Sequence, residues 1–88
     1  PGYLDVQRLR NYRQRAGLTD GRLAAGGIGR NTVSRYFDPD ATSRSYTRVI
    51  LDKILAVINA ARRHNGEKPI QVIDVLVPER VSLAHCLE

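Results

Sequence analysis

The sequence predicts an all-α (mostly α) fold, a compact bundle of about five helices. Three observations carry that expectation. Apolar residues recur at three- and four-residue spacing in residues 3–16 and again, as a wider stripe, in residues 49–61. Between these stretches, residues 18–37 (LTDGRLAAGGIGRNTVSRYF) read as two short helices joined by a glycine turn. Helix-stopping residues fall at the expected ends: Gly17, Asp38-Pro39-Asp40 and Asn65-Gly66. The chain has 88 residues, enough for one modest core but not for two.

In the first helix, residues 3–16, Val6, Leu9, Tyr12 (or Arg13) and Ala16 form the inward row. Asp5 is placed to cap it and Gly17 to end it with a left-handed residue. Gln7, Arg8, Arg10 and Arg15 take the other face, which reads first as a solvated surface. Thr19 is a good N-cap for a second helix reaching about residue 25. Arg22 stands where Glu would complete a capping box. Gly21 costs this short helix about 1 kcal/mol relative to Ala, so packing of Leu23 and Ala24 must hold it.

Gly26-Gly27-Ile28-Gly29 is the turn: one glycine takes positive φ, and Ile28 plugs the gap between helices. The third helix covers residues 30–37. In this unit Leu18, Leu23, Ala24, Ile28, Val33 and Phe37 are expected to face inward, and Arg30, Asn31, Thr32, Ser34 and Arg35 outward. Residues 41–45 form a polar loop, and Ser43 or Ser45 caps a fourth helix running to about residue 65. Its stripe of Val49, Ile50, Leu51, Ile54, Leu55, Val57, Ile58 and Ala61 can close one core and leave surface for a partner. Arg62, Arg63 and His64 suit the negative end of its dipole.

Residues 70–77 (IQVIDVLV) are ambiguous. Five β-branched residues in eight favour a strand. Pro69 could instead open a short fifth helix, or the segment could be a dimer strand pairing with its mate. A flexible arm fits least, because the segment is too apolar to stay in water. The tail beyond Pro78 is weakly patterned. Domain organisation follows: residues 1–68 form the bundle, and residues 69–88 a closing and dimerising segment of the same domain.

Charge gives the first functional indication. Residues 1–50 hold nine Arg against four Asp, whereas residues 51–88 hold five basic and five acidic residues. The whole net charge of +5 therefore sits on the half with the helix–turn–helix-like unit, and a polyanionic partner is expected there. Twelve of the fourteen basic residues are Arg. Codon usage in a GC-rich genome would produce that bias; so would a need for bidentate contacts to phosphate and guanine.

Other classes find little support. The single cysteine, Cys86, allows no internal disulfide framework and fits a reducing compartment. No apolar run approaches the roughly 18 residues of a membrane span. No signal peptide or strong lipidation motif is visible, so a cytoplasmic, nucleoid-associated location is expected. The chain opens on Pro1-Gly2 rather than Met, as a processed or trimmed chain does, and Leu87-Glu88 reads as a cloning remnant. The glycine turn lacks GxGxxG spacing, a preceding strand and a following Gly-Lys-Ser or Gly-Lys-Thr, so it is not a nucleotide loop. His64 and His85 have no ligand neighbours at metal spacing, and the adjacent His85 and Cys86 read as tail with a surface thiol. No catalytic residue, metal, cofactor or small-molecule ligand is expected.

The pattern Leu9-Arg10-x-Tyr12-Arg13-x-x-Ala16-Gly17-Leu18-Thr19, then Leu23-Ala24, then Gly27-Ile28-Gly29-Arg30-Asn31-Thr32-Val33-Ser34-Arg35 resembles the Cro/CI-type (XRE, lambda-repressor-like) helix-turn-helix family. The match covers roughly residues 6–60. The resemblance implies a bundle of about five helices, with the helix-turn-helix at helices 2 and 3, and a sequence-specific DNA-binding regulator that is usually a dimer. Two departures stand out. Only Ala25-Gly26 separate Leu-Ala from Gly-Ile, one residue fewer than the family commonly has. Asp20-Gly21-Arg22 also replaces its usual Gln-Glu-Glu.

On this reading helix 3 enters the major groove of double-stranded DNA. Arg30 suits guanine N7 and O6, and Asn31 suits adenine N6 and N7. Arg35 is the next base-reading candidate, Ser34 a base or phosphate contact, and Thr32 a phosphate contact or packing residue. Thr19 caps helix 2, and its N–H is set to meet a phosphate. Arg44, Tyr46 and Arg48 follow helix 3 and are placed to grip the backbone, while Tyr36 and Phe37 belong to the core. Ile70, Val72, Ile73, Val75 and Leu76, with spare positions of the fourth helix, are expected to join a homodimer on a palindromic operator. A transcriptional regulator, in the first instance a repressor, is the expected function. The alternatives are a protein-interaction adaptor such as an antitoxin or bridging factor, or the DNA-binding fragment of a longer regulator or recombinase.

Overall fold

The computed structural model describes residues 2–78. Among the described residues it is mostly helical, with four α-helices and two short strands. The first helix, α1 (Val6–Ala16), is fixed at both ends by its own sequence. The Asp5 carboxylate accepts the Arg8 N–H at 3.1 Å. Gly17 closes the helix at φ 68°, a conformation that costs a side chain but not glycine.

The helix begins at Val6, not at residue 3. Asp5 can cap only from an extended backbone, so the residues before it leave the helix. Their free N–H and C=O groups then pair: Leu4–Asp5 is strand β1, antiparallel to β2 (Ser43–Arg44), with Leu4 opposite Arg44 and Asp5 opposite Ser43. The ribbon is extended by Val6 N–H donating to the Thr42 carbonyl (3.2 Å) and the Gln7 amide donating to the Ala41 carbonyl (2.9 Å). Residues expected to form a plain polar loop are thus partly strand.

α2 (Asp20–Ala25) starts at Thr19, whose hydroxyl accepts the Arg22 N–H at 3.3 Å. Gly27 makes the turn at φ 89°, and Ile28 is buried beneath it. α3 (Arg30–Tyr36) follows, with Phe37 as its last, capping residue. α4 (Arg48–His64) is not capped by Ser43 or Ser45. Ser43 lies in β2, and Thr47 holds the cap position without a side-chain bond. The Thr47 N–H instead donates to the phenolic oxygen of Tyr36 at 3.0 Å, so a residue of α3 fixes where α4 begins.

One core joins these elements. Val6 and Leu9 of α1, Leu23 of α2, Val33 and Tyr36 of α3, and Leu51, Ile54, Leu55 and Ile58 of α4 are all buried in it. Two residues expected inside are not. Ala24 is exposed, because six residues of α2 turn only Leu23 fully inward. Val49 is 65% exposed, because it sits in the first turn of α4, off the row of Leu51, Ile54, Leu55 and Ile58.

Residues 70–77 form neither a full fifth helix nor a continuous strand. A single 3-10 turn, Val72–Val75, is followed by extended Leu76, which bridges to Leu4 of the same chain. The Val77 N–H donates to the Tyr3 carbonyl at 2.8 Å. The segment is clamped to α4 by Asn59. Its amide accepts the Ile70 N–H (2.8 Å) and donates to the Ile70 carbonyl (2.9 Å). The Asp74 carboxylate also accepts the Gln71 N–H (2.8 Å), which tightens the turn. Residues 79–88, the second half of the expected closing and dimerising segment and including His85, Cys86, Leu87 and Glu88, lie outside the described residues.

Candidate nucleic-acid interface

The surface of interest is the outer face of α3. Val33, Tyr36 and Phe37 anchor its inner face, at the three- and four-residue spacing that keeps one side of a helix against a core. The other side then has to face solvent. Arg30, Asn31, Ser34 and Arg35 are exposed, and Thr32 is half-buried at the edge. Among the described residues, none of the side chains of Arg30, Asn31, Ser34 and Arg35 enters a hydrogen bond or ion pair within the chain. Gly29 precedes them without a side chain, which leaves the first turn open.

Several other arginines are engaged. Arg13 donates from Nε to the Leu18 carbonyl (3.0 Å), pairs with Asp20, and lies over the Phe37 ring at 4.8 Å. Arg62 lies over Tyr12 at 5.2 Å and donates to the Lys68 carbonyl at 2.8 Å. Arg48 pairs with Asp52 at 3.1 Å. Arg8 reaches from α1 to the Asp74 carbonyl at 3.3 Å.

The expected interface residues therefore separate. Arg30, Asn31, Ser34 and Arg35 share one exposed helix face. Arg44 adjoins the end of that helix: its guanidinium lies over the Tyr36 ring at 4.6 Å, and its Nε donates to the Ser45 carbonyl. Thr19 is exposed at the start of α2, its oxygen committed to the cap. Tyr46 is half-buried against the core and lines an open groove of about 670 Å³ between α4 and residues 70–76, to which no α3 residue contributes.

The expected dimerising residues separate too. Ile70 and Val75 are buried in their own chain's core. Val72, Ile73 and Leu76 line the groove beside α4, with Ile73 72% exposed. The link that Tyr36 makes to the start of α4 is not evident from the sequence around either residue. What can be read is that a tyrosine at an inward position needs a partner for its buried hydroxyl. Among the described residues no group of His, Cys, Asp and Glu could hold a metal, and no helix is long and apolar enough to cross a membrane. Comparison with protein-family models, with curated proteins and with solved structures returned no match to the chain.

Proposed function

We propose that this protein is a sequence-specific double-stranded-DNA-binding regulator of the helix-turn-helix kind, in the first instance a repressor, with α3 as its reading helix. The observation that carries this reading is the set of uncommitted side chains on α3. Arg30 and Arg35 have no partner among the described residues, beside an equally free Asn31 and Ser34. Elsewhere Arg13, Arg48 and Arg62 are spent on carbonyls, carboxylates or rings. The other exposed arginines without a side-chain partner among the described residues, Arg15, Arg22 and Arg63, are spread over three other helices rather than gathered on one face beside Asn and Ser. Arg offers the fork that matches guanine O6 and N7, and Asn the pair that matches adenine N6 and N7. Arg44, beside the end of α3, is suited to a phosphate.

A seven-residue helix is about 10 Å long and spans about three base-pair steps. So short a site cannot mark one operator, which favours two copies reading two half-sites about 10 bp apart. Exposed Ile73 and the groove beside α4 suit the second copy, and residues 51–88 carry no net charge to repel it.

Selection from a pool of random duplexes, followed by anisotropy titration at two salt concentrations, tests the proposal. The expected result is an enriched palindrome bound tightly, with affinity falling steeply as salt rises. Weak, salt-labile binding with no enriched sequence overturns it in favour of a protein-interaction adaptor.

A further inference from the structure

We propose that the contact between Gly26 and Val57 is a positioning device that sets how α3 is presented, so that base selection depends on it. The inference rests on α3 being the reading helix. α2 ends at Gly26, whose N–H donates to the Leu23 carbonyl at 3.0 Å. Its φ of −83° is open to any residue, so backbone conformation does not require glycine here. Space does. A Cβ at Gly26 would overlap Cγ2 of Val57 on α4 and stand 3.3 Å from the Leu23 carbonyl oxygen.

Neither side of this contact yields easily. Val57 is half-buried, packed against the core, and a β-branched side chain in a helix has one strongly preferred rotamer. The methyl cannot simply swing aside. An added methyl at Gly26 must therefore push α2 off α4. An open groove lined by Arg22, Ala25, Lys53 and Ala60 flanks the contact and gives α2 room to move without unfolding.

Downstream, the connection is short, and α2 packs directly against α3, so the two helices move together. Gly27 turns it, buried Ile28 pins it, and Gly29 opens α3, so Arg30 lies four residues beyond the contact. A displacement of the end of α2 is passed to Arg30 and Asn31. Bidentate hydrogen bonds to base edges are lost over small misplacements, whereas attraction to phosphates depends chiefly on the number of charges. The contact thus acts on discrimination and leaves general affinity alone.

The test compares wild type, Gly26→Ala, Val57→Ala and the double variant Gly26→Ala/Val57→Ala. Residual dipolar couplings read the angle between α3 and α4, and anisotropy reads the affinity ratio of selected over scrambled duplex. Gly26→Ala is expected to change the angle and lower the ratio about tenfold with the salt dependence kept. The double variant, in which the alanine methyl fills the space the valine leaves, restores both. Val57→Ala alone, which removes the contact without crowding, lowers the ratio by a smaller factor and serves if Gly26→Ala does not fold. An unmoved α3 and an unchanged ratio in folded variants overturn the inference, as does a folded double variant that restores neither. A wild-type chain that prefers no sequence instead removes the DNA-reading proposal, and this dependence with it.

Discussion

Arg30 and Arg35 on α3 contrast with Arg13 and Arg62 at the seams between helices. The first two are exposed and unpartnered among the described residues. The side chains of the other two are 21% and 11% exposed, lie on aromatic rings and donate to backbone carbonyls. The difference comes from the neighbours. Asp20 and Phe37 flank Arg13, and Glu67 and Tyr12 flank Arg62, whereas α3 itself carries no acidic residue. A basic excess in a sequence is thus not yet a binding surface. Some of it holds the fold together, and only the remainder is free to meet a polyanion.

Substitution at each set should separate these roles. Arg30→Ala with Arg35→Ala is expected to abolish sequence preference, each contact contributing about 1–3 kcal/mol to discrimination. Urea unfolding of that variant should stay within about 0.5 kcal/mol of wild type, since both side chains are exposed and unpartnered. A large stability loss there would erase the contrast. Arg62→Ala should do the reverse. Losing the Lys68 carbonyl bond and the cover over Tyr12 is expected to cost about 2 kcal/mol in the same unfolding experiment, with duplex preference unchanged. The smallest effect is expected at Arg48→Ala. Its pair with Asp52 is exposed on both sides, at 70% and 55%, and a change in unfolding free energy beyond about 0.5 kcal/mol would show that the pair matters more than its exposure implies.

Where the deciding interactions are local, the sequence was a good guide. The caps Asp5 and Thr19, the closing Gly17, the turn at Gly27 and the inward Tyr36 and Phe37 all follow from neighbours a few residues away. The outward character of Arg30, Asn31, Ser34 and Arg35 was legible for the same reason, because helical period alone divides α3 into two faces. Reading failed where distant residues decide. Nothing near Ser43 signals that Leu4–Asp5 will pair with it, nor does anything near Thr47 signal that Tyr36 will fix the start of α4. The fate of residues 70–77 depends on Asn59 and Leu4, which lie far away in the chain, so β-branched composition alone could not choose between helix and strand.

The bridge from Leu4 to Leu76 has a consequence in time. It ties together positions about seventy residues apart, and the entropy lost in closing so long a loop is repaid only once the intervening helices have docked. Helical turns form from contacts three and four residues away and need no such delay. The Leu4–Leu76 bridge is therefore expected to act as a latch that closes last on a bundle already assembled. Pulsed hydrogen exchange during refolding checks this, as protection at the Val77 N–H arriving after protection in α1 and α4.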